Sequence, residues 1–128
     1  MFQQDPSWMV TAGKLMLVTL FLVAGTLNLT PARVKDHIER MAGFGVPLPG
    51  IAFWTGIAME FAGCALVLGG WYADIGVWLL IAFTAIAGAI FHRFWLVDDP
   101  MRRQSLRVAA LNNIAVIGGL LLLLHFVK

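Results

Sequence analysis

Residues 51–71, IAFWTGIAMEFAGCALVLGGW, form an apolar segment long enough to cross a bilayer once, and a single carboxyl group, Glu60, lies at its centre. On insertion scales a carboxyl at that depth costs at least about 2.5 kcal/mol, so we expect the rest of the fold to compensate it. Burial disfavours the charged form, so Glu60 is expected to be protonated and able to donate a hydrogen bond. Polar residues that reach the depth of Glu60 are therefore candidates for a functional site.

The composition of the chain is that of a membrane protein. Hydrophobic residues make up 60% of the 128 residues and charged residues 12%, whereas soluble domains are about 45–50% apolar and about 25% charged. The net charge of +2 comes from cations placed mainly between the apolar segments, so we expect a lipid bilayer and not nucleic acid as the partner. The single cysteine, Cys64, excludes an intrachain disulfide and a CxxC redox pair.

Four apolar segments predict membrane-spanning helices at about residues 9–29, 50–70, 73–95 and 106–127, each able to cross about 30 Å of hydrocarbon. Between the first two, Val34, Ile38 and Met41 recur at helical spacing opposite a charged face that includes Arg40, which is typical of a short amphipathic helix in the interface. We therefore predict an all-α, polytopic membrane protein. It is an antiparallel four-transmembrane-helix bundle in one domain, residues 1–128, with the interfacial helix between helices 1 and 2.

Lysine and arginine are distributed unevenly between the two ends of the predicted bundle. Lys14 and Lys128 lie at the end that carries the chain termini. The others lie in or next to the two longer connections, residues 30–49 and 96–105, at Arg33, Lys35, Arg40, Arg93, Arg102, Arg103 and Arg107. Because basic loops tend to stay in the cytoplasm, we expect both connections to be cytoplasmic and both termini to be outside.

Polar residues from four spans reach one half of the predicted bundle. At about 1.5 Å per residue, Glu60 lies roughly 15 Å from the start of the second span and Asn113 roughly 10 Å from the start of the fourth. His92 and Asn28 come at the ends of the third and first spans, on the same side of the membrane. The other half is nearly all aliphatic. The sequence therefore predicts a polar pocket that opens towards the loops and is lined by Asn28, Glu60, His92 and Asn113.

In two spans, small residues recur at helical spacing on the face that carries a polar residue. The set in the second span is Gly56, Glu60, Gly63 and Val67, and the set in the third span is Ala85, Gly88 and His92. Such residues allow helices to approach closely in lipid, so we expect both stripes to face the inside of the bundle.

Each candidate also has a simpler interpretation. Glu60 would serve as a protonated carboxyl that holds two helices together, and His92 as an interfacial residue. Asn113, and more so Asn112, would contribute an interhelical hydrogen bond of only about 0.6 kcal/mol. Asn28 would be a residue at a helix C-terminus.

Several kinds of site are excluded or unsupported by spacing. His92 and His125 lie at opposite ends of the predicted bundle, so they cannot hold one haem between them. His37, His92 and a loop carboxylate show no recognisable metal-binding spacing, and we predict no metal site. No P-loop, GxGxxG or nucleophile elbow is present.

Four motifs in order resemble the DoxX family, whose members are small bacterial four-helix membrane proteins. They are GFGVPLP at residues 43–49, MEFAGCALVLGGW at 59–71, FH at 91–92 and NNIAVIGGLLLL at 112–123. The family's Gly-x-Pro turn, Glu, His and Asn correspond to the turn that begins at Gly45 and to Glu60, His92 and Asn113. Two positions depart from the family pattern, since Lys14 replaces an early Arg and Asn28 replaces the Lys of a Gly-x-x-Lys motif.

The family name comes from a subunit of a thiosulfate:quinone oxidoreductase. The resemblance therefore implies the bacterial inner membrane and a redox or quinone context. Our leading hypothesis is a subunit or accessory of an oxidoreductase that binds a quinone or a similar lipophilic molecule, with no covalently bound cofactor and with a redox protein or a second copy as partner. If the chain is catalytic, it is a quinone-linked oxidoreductase subunit. The alternatives are a non-enzymatic scaffold or assembly factor and, ranked last, a small proton-coupled exporter.

The charge distribution generates a test of topology. Alkaline phosphatase fused to the C-terminus should be active, because it folds only outside the cytoplasm, and green fluorescent protein fused there should be dark. The same reporters fused after Met41 should behave in the opposite way, because we expect that connection to be cytoplasmic. A fluorescent C-terminal fusion would contradict the predicted orientation.

Overall fold

The computed structural model describes residues 7–92 and 97–127, with the backbone alone of Ser7. These residues form five helices, α1 (Ser7–Leu27), α2 (Pro31–Gly43), α3 (Pro49–Gly69), α4 (Ala73–Phe91) and α5 (Pro100–Val127). Helices α1, α3, α4 and α5 are each long and apolar enough to cross a membrane, which confirms the predicted all-α architecture with four transmembrane helices. Residues 93–95 of the predicted third span lie outside the described residues, and the single domain over 1–128 stays a prediction.

Helix α3 is central to the bundle. It packs along α4 and also contacts α1 and α2, while α5 packs against α4 and, less extensively, against α1. Gly63 of α3 faces Gly76 of α4, so that a Cβ on Gly76 would lie 2.8 Å from the carbonyl oxygen of Gly63. A Cβ on Gly63 would lie 2.9 Å from Cγ of Leu80. The two glycines therefore allow the backbones of α3 and α4 to approach closely, as is common between helices in lipid.

The end of the bundle near the chain termini is a continuous apolar core. Its buried side chains come from α1, α3, α4 and α5 and are Val18, Phe21, Cys64, Val67, Val77, Leu80, Leu120, Leu123 and Leu124. This is the half of the bundle that the sequence predicts to be aliphatic. We call this half the closed end. We call the opposite end, which is formed by α2 and the two longer connections, the loop end.

Helix α2 lies against the loop end of α3, as expected for the interfacial helix. Its Met41 is buried with Phe53 and Ile57 of α3, and Val34 and Ile38 are packed against this cluster. The apolar side of the predicted amphipathic helix is therefore the side that contacts the bundle.

The GFGVPLP segment ends α2 and begins α3. The backbone amide of Val46 donates to the carbonyl of Met41 at 3.0 Å, and the backbone amide of Gly45 donates to the carbonyl of Ala42 at 3.1 Å. This is the pattern of a Schellman motif. Gly45 has φ of 82°, a left-handed conformation that glycine adopts without steric cost. Pro49 then occupies the first turn of α3, where its missing amide hydrogen is not needed.

Helix α5 begins at Pro100, six residues before the predicted start of the fourth span at 106. Hydropathy detects only the apolar part of a helix, whereas the helix itself begins where the chain can cap it. Pro100 takes the first position, and the carbonyl of Asp99 accepts the amide of Arg103 at 2.8 Å. At about 1.5 Å per residue the 28 residues extend for roughly 42 Å, so the first turns of α5 reach beyond the hydrocarbon.

The inward face of α4 differs in one position from the predicted stripe. Ala85 is exposed, whereas Gly88 and His92 are partly buried. The residues of α4 that are buried are Ala73, Gly76, Val77, Leu80 and Thr84. The prediction for Ala85 was wrong because the face that contacts α3 passes through Thr84, one position earlier.

The contact between Gly63 and Gly76 generates a prediction about stability. Gly76→Ala should lower the free energy of unfolding by about 1–3 kcal/mol, because its new Cβ meets the backbone carbonyl oxygen of Gly63, which cannot move aside as a side chain can. Gly118→Ala is the matched control, since a Cβ at that helical position has open space around it. Denaturant unfolding of both variants in the same detergent measures the difference. Equal stability of the two variants would show that the α3–α4 contact is not tight.

Candidate functional site

A cavity of about 680 Å³ opens at the loop end of the bundle, between all five helices. This volume falls within the range of about 300–1,000 Å³ that is typical of ligand pockets. Most of its wall is apolar. The polar residues that line it are Asn28, His37, Arg40, Thr55, Glu60, Thr84, His92 and Asn113.

The structure places all four residues of the predicted pocket in the wall of this one cavity. Glu60 comes from α3, Asn113 from α5, His92 from the residue that ends α4, and Asn28 from the residue after α1. The backbone amide of Asn28 donates to the carbonyls of Ala24 and Gly25, so Asn28 also extends the end of α1. That these four residues bind a ligand stays a prediction.

Glu60 is the most unusual of the four. Its side chain is 1% exposed, and its Oε1 has no hydrogen-bond partner among the described residues. The carboxyl lies against α1 at Gly25, where a Cβ would be only 3.0 Å from Oε1. A buried polar atom without a partner costs about 1–3 kcal/mol. Glu60 is therefore held in its position by packing, with one oxygen that no described residue satisfies.

His92 and Asn113 form the second polar group of the cavity. Nδ2 of Asn113 donates to Nδ1 of His92 at 3.0 Å, which places the imidazole proton on Nε2. Gly88 makes room for this pair, because a Cβ there would lie 2.8 Å from Nδ2 of Asn113. Burial lowers the pKa of His92, and the positive charge of Arg40 lowers that pKa further. His92 is thus held as a neutral imidazole with a fixed Nε2–H donor.

Thr84 contributes an acceptor to the wall. Its hydroxyl is 4% exposed and donates to the carbonyl of Leu80 at 2.7 Å. Because that donor is used within α4, only the lone pairs of the hydroxyl oxygen remain for a ligand.

Two polar residues of α2 line the cavity and were not predicted to do so. His37 lies against Phe53 and Phe91, with ring centroids 5.8 Å and 5.1 Å away, and the guanidinium carbon of Arg40 lies 5.4 Å from the centre of the Phe91 ring. The Arg40 side chain is 34% exposed, so Arg40 lies at the edge of the charged face, next to the cavity. His37 falls within the spacing of Val34, Ile38 and Met41, and that spacing was a signal for its inward direction.

Other polar residues of the spans lie outside the cavity. Asn112 is exposed on the outer surface of α5, and His125 is exposed at the closed end. Cys64 is 1% exposed within the apolar core. Across residues 7–92 and 97–127, no three His, Cys, Asp or Glu side chains gather closely enough to hold a metal ion.

Comparison with known proteins identifies one family. The family model described as DoxX matches residues 9–93, which is about two thirds of the chain and covers α1 to α4. The matched region includes Asn28, Glu60 and His92, whereas Asn113 lies beyond it. Searches of curated proteins and of solved structures found no match.

The environment of His92 generates a prediction about its titration. Replacing Arg40 with Gln should raise the pKa of His92 towards its usual range, because a nearby positive charge that opposes protonation is removed. The increase should be partial, since burial, the larger cause, remains. NMR titration of the labelled imidazole measures the change, with Lys35→Gln as a control on the exposed side of α2. If the pKa of His92 is the same in wild type and Arg40→Gln, then Arg40 does not act on this imidazole.

Proposed function

The chain belongs to the DoxX family, and from this we propose that it is a component of a redox system that binds a quinone or a similar lipophilic molecule in the cavity. Its four membrane-spanning helices make it a multi-pass membrane protein. The family is often associated with redox systems. We further propose the bacterial inner membrane, with the termini outside, and a role as subunit or accessory of an oxidoreductase whose other components supply the electrons.

The observation that carries the proposal is the buried carboxyl of Glu60. Glu60 lines a cavity whose walls are mainly apolar, and its Oε1 has no hydrogen-bond partner in the described part of the chain. A ligand that contacts this carboxyl must be apolar enough to enter the cavity and must offer a hydrogen-bonding atom to one buried group. A carbonyl oxygen on a lipophilic ring meets both requirements, since a protonated Glu60 can donate to it.

A second polar contact is available nearer the loop end, at the His92–Asn113 pair. Gly56 lies against Phe83, and Gly88 lies against Asn113. Because α3 and α4 are antiparallel, Gly56 and Phe83 mark one level of the bundle. Glu60 lies four residues deeper than this level, and Gly88 lies five residues nearer the loop end, so about nine residues of helix separate Glu60 from Gly88. That is roughly 13 Å between backbones, which the Glu60 side chain shortens by leaning towards the N-terminus of α3.

A ring with carbonyls on opposite sides, as in a quinone, suits two donors separated in this way. In the proposed complex, Glu60 donates to one carbonyl and Nε2 of His92 donates to the other. Asn113 acts on the ligand through His92, because its amide fixes the imidazole tautomer at 3.0 Å. Asn28 lies one turn beyond Gly25 and would contact the ligand near Glu60.

A quinone titration tests the proposal. Purified wild-type protein should bind a short-chain quinone, and Glu60→Leu and His92→Ala should each weaken binding about tenfold, the equivalent of one lost hydrogen bond of about 1.4 kcal/mol. Glu60→Gln should retain part of the affinity because its amide can still donate.

Asn112→Ala is the matched control, since Asn112 neighbours Asn113 but is exposed on the outer face of α5. Tryptophan fluorescence or calorimetry measures the dissociation constants. If Glu60→Leu and His92→Ala both bind quinone as tightly as the wild type, the proposed site is wrong.

A further inference from the structure

We propose that the open end of the cavity is a subsite for an anionic head group of phosphate type, bound by Arg40 and His37 of α2. This subsite is separate from the contacts proposed for the ring of a quinone, which involve Glu60 and His92. It also does not depend on the identity of the molecule that occupies the interior.

His37 is held in one orientation with one nitrogen left to bind. Its Nδ1 donates to the carbonyl of Arg33 at 2.7 Å, and its ring is fixed between Phe53 and Phe91. With Nδ1 used by the backbone, Nε2 is the nitrogen left for a ligand, as an acceptor in the neutral imidazole and as a donor in the protonated one. His37 itself lines the cavity.

Arg40 supplies a charge at the same place, one turn further along α2. Its guanidinium lies over the Phe91 ring, and its NH1 is 3.6 Å from Asp36. The Asp36 side chain is 60% exposed, and an exposed pair of this kind four residues apart on a helix is weak. A guanidinium has five N–H donors, so Arg40 can keep Asp36 and still bind the oxygens of a phosphate.

The distribution of charge along the cavity favours an anion at the open end. Among the described residues that line it, Arg40 and Glu60 are the only ones with a Lys, Arg, Asp or Glu side chain. Glu60 lies deep in the bundle against Gly25, whereas Arg40 lies on α2 at the open end. The carboxylate that lies beside Arg40 is that of Asp36, which is not part of the cavity wall and is largely exposed to solvent that screens its charge.

The wall next to this subsite is apolar, which indicates how the anion would be carried. Phe53, Ile90 and Phe91 line the cavity beside His37 and Arg40, and they would cover an alkyl chain attached to the head group. A phosphate head group on a lipid and free phosphate from water share the chemistry that Arg40 and His37 recognise. The experiment therefore includes both sources.

Native mass spectrometry of the protein in a neutral detergent tests the subsite. The probes are lysophosphatidic acid, monoacylglycerol with the same acyl chain, and inorganic phosphate. Wild-type protein should bind lysophosphatidic acid at least about tenfold more tightly than monoacylglycerol. Arg40→Gln should remove most of this preference and leave binding of monoacylglycerol unchanged, and His37→Gln should reduce the preference with the charge of Arg40 intact.

Lys35→Gln is the matched control, because Lys35 is an exposed cation on the same helix that does not line the cavity. It should bind both amphiphiles as the wild type does. Circular dichroism and gel filtration establish that each variant is folded, and His37→Gln carries the test if Arg40→Gln does not fold.

Two results would overturn the subsite. One is equal binding of the two amphiphiles by the wild type. The other is a loss in Lys35→Gln as large as that in Arg40→Gln, which would indicate general attraction to a basic helix.

Displacement of lysophosphatidic acid by inorganic phosphate would support the subsite and identify free phosphate as a sufficient ligand. Binding of the amphiphile without such displacement would support the subsite for a lipid-borne head group. Because these variants leave Glu60 unchanged, a failure here is distinguishable from a failure of quinone binding.

Discussion

A carboxyl group in the middle of a membrane span must be compensated, and much of this bundle is arranged around the position of Glu60. The acid is buried at 1% exposure between α3 and α1, and Gly25 lets it lie against the neighbouring helix. Its Oε1 nevertheless has no partner among the described residues. A cost of about 1–3 kcal/mol for such an atom is a sizeable part of a typical folding free energy of about 5–15 kcal/mol.

The two ends of the bundle differ in how closely their helices pack. At the closed end, the buried side chains of four helices interlock, and the Gly63–Gly76 contact brings α3 and α4 together. Because lipid tails are as apolar as leucine, close packing is what holds these helices to one another. At the loop end, α2 lies against α3 and the helices leave a cavity between them. Close packing at the closed end thus holds the helices together, while the loop end stays open and partly polar.

Much of this arrangement was predictable from the sequence, because hydropathy and depth are properties of single helices. The four spans follow from apolar length, and the position of Glu60, Asn28, His92 and Asn113 in one half follows from counting residues along each span. That Asn113 contacts His92 and not Glu60 was not predictable, since it depends on which helices are neighbours and on how they are rotated. Ala85 was misassigned for the same reason, because neighbouring positions on a helix lie close to the boundary between two faces.

The contribution of α2 to the cavity was also not anticipated. An amphipathic helix with a charged face predicts a position at the interface, but that pattern does not show which charged residues lie near the edge of the apolar face. Arg40 lies at this edge and reaches Phe91, and His37 lies within the apolar spacing. The start of α5 at Pro100 was missed because capping by Asp99 and Pro100, and not hydropathy, determines where that helix begins.

The central claim is that Oε1 of Glu60, which has no partner among the described residues, contacts a ligand. An electron-density map of the protein crystallised from a lipidic mesophase tests it most directly. The account predicts non-protein density within the cavity, with one polar atom within about 3 Å of Oε1 of Glu60. A map in which the helices close the cavity, or in which the Glu60 carboxyl turns to pair with another side chain of the protein, would contradict it.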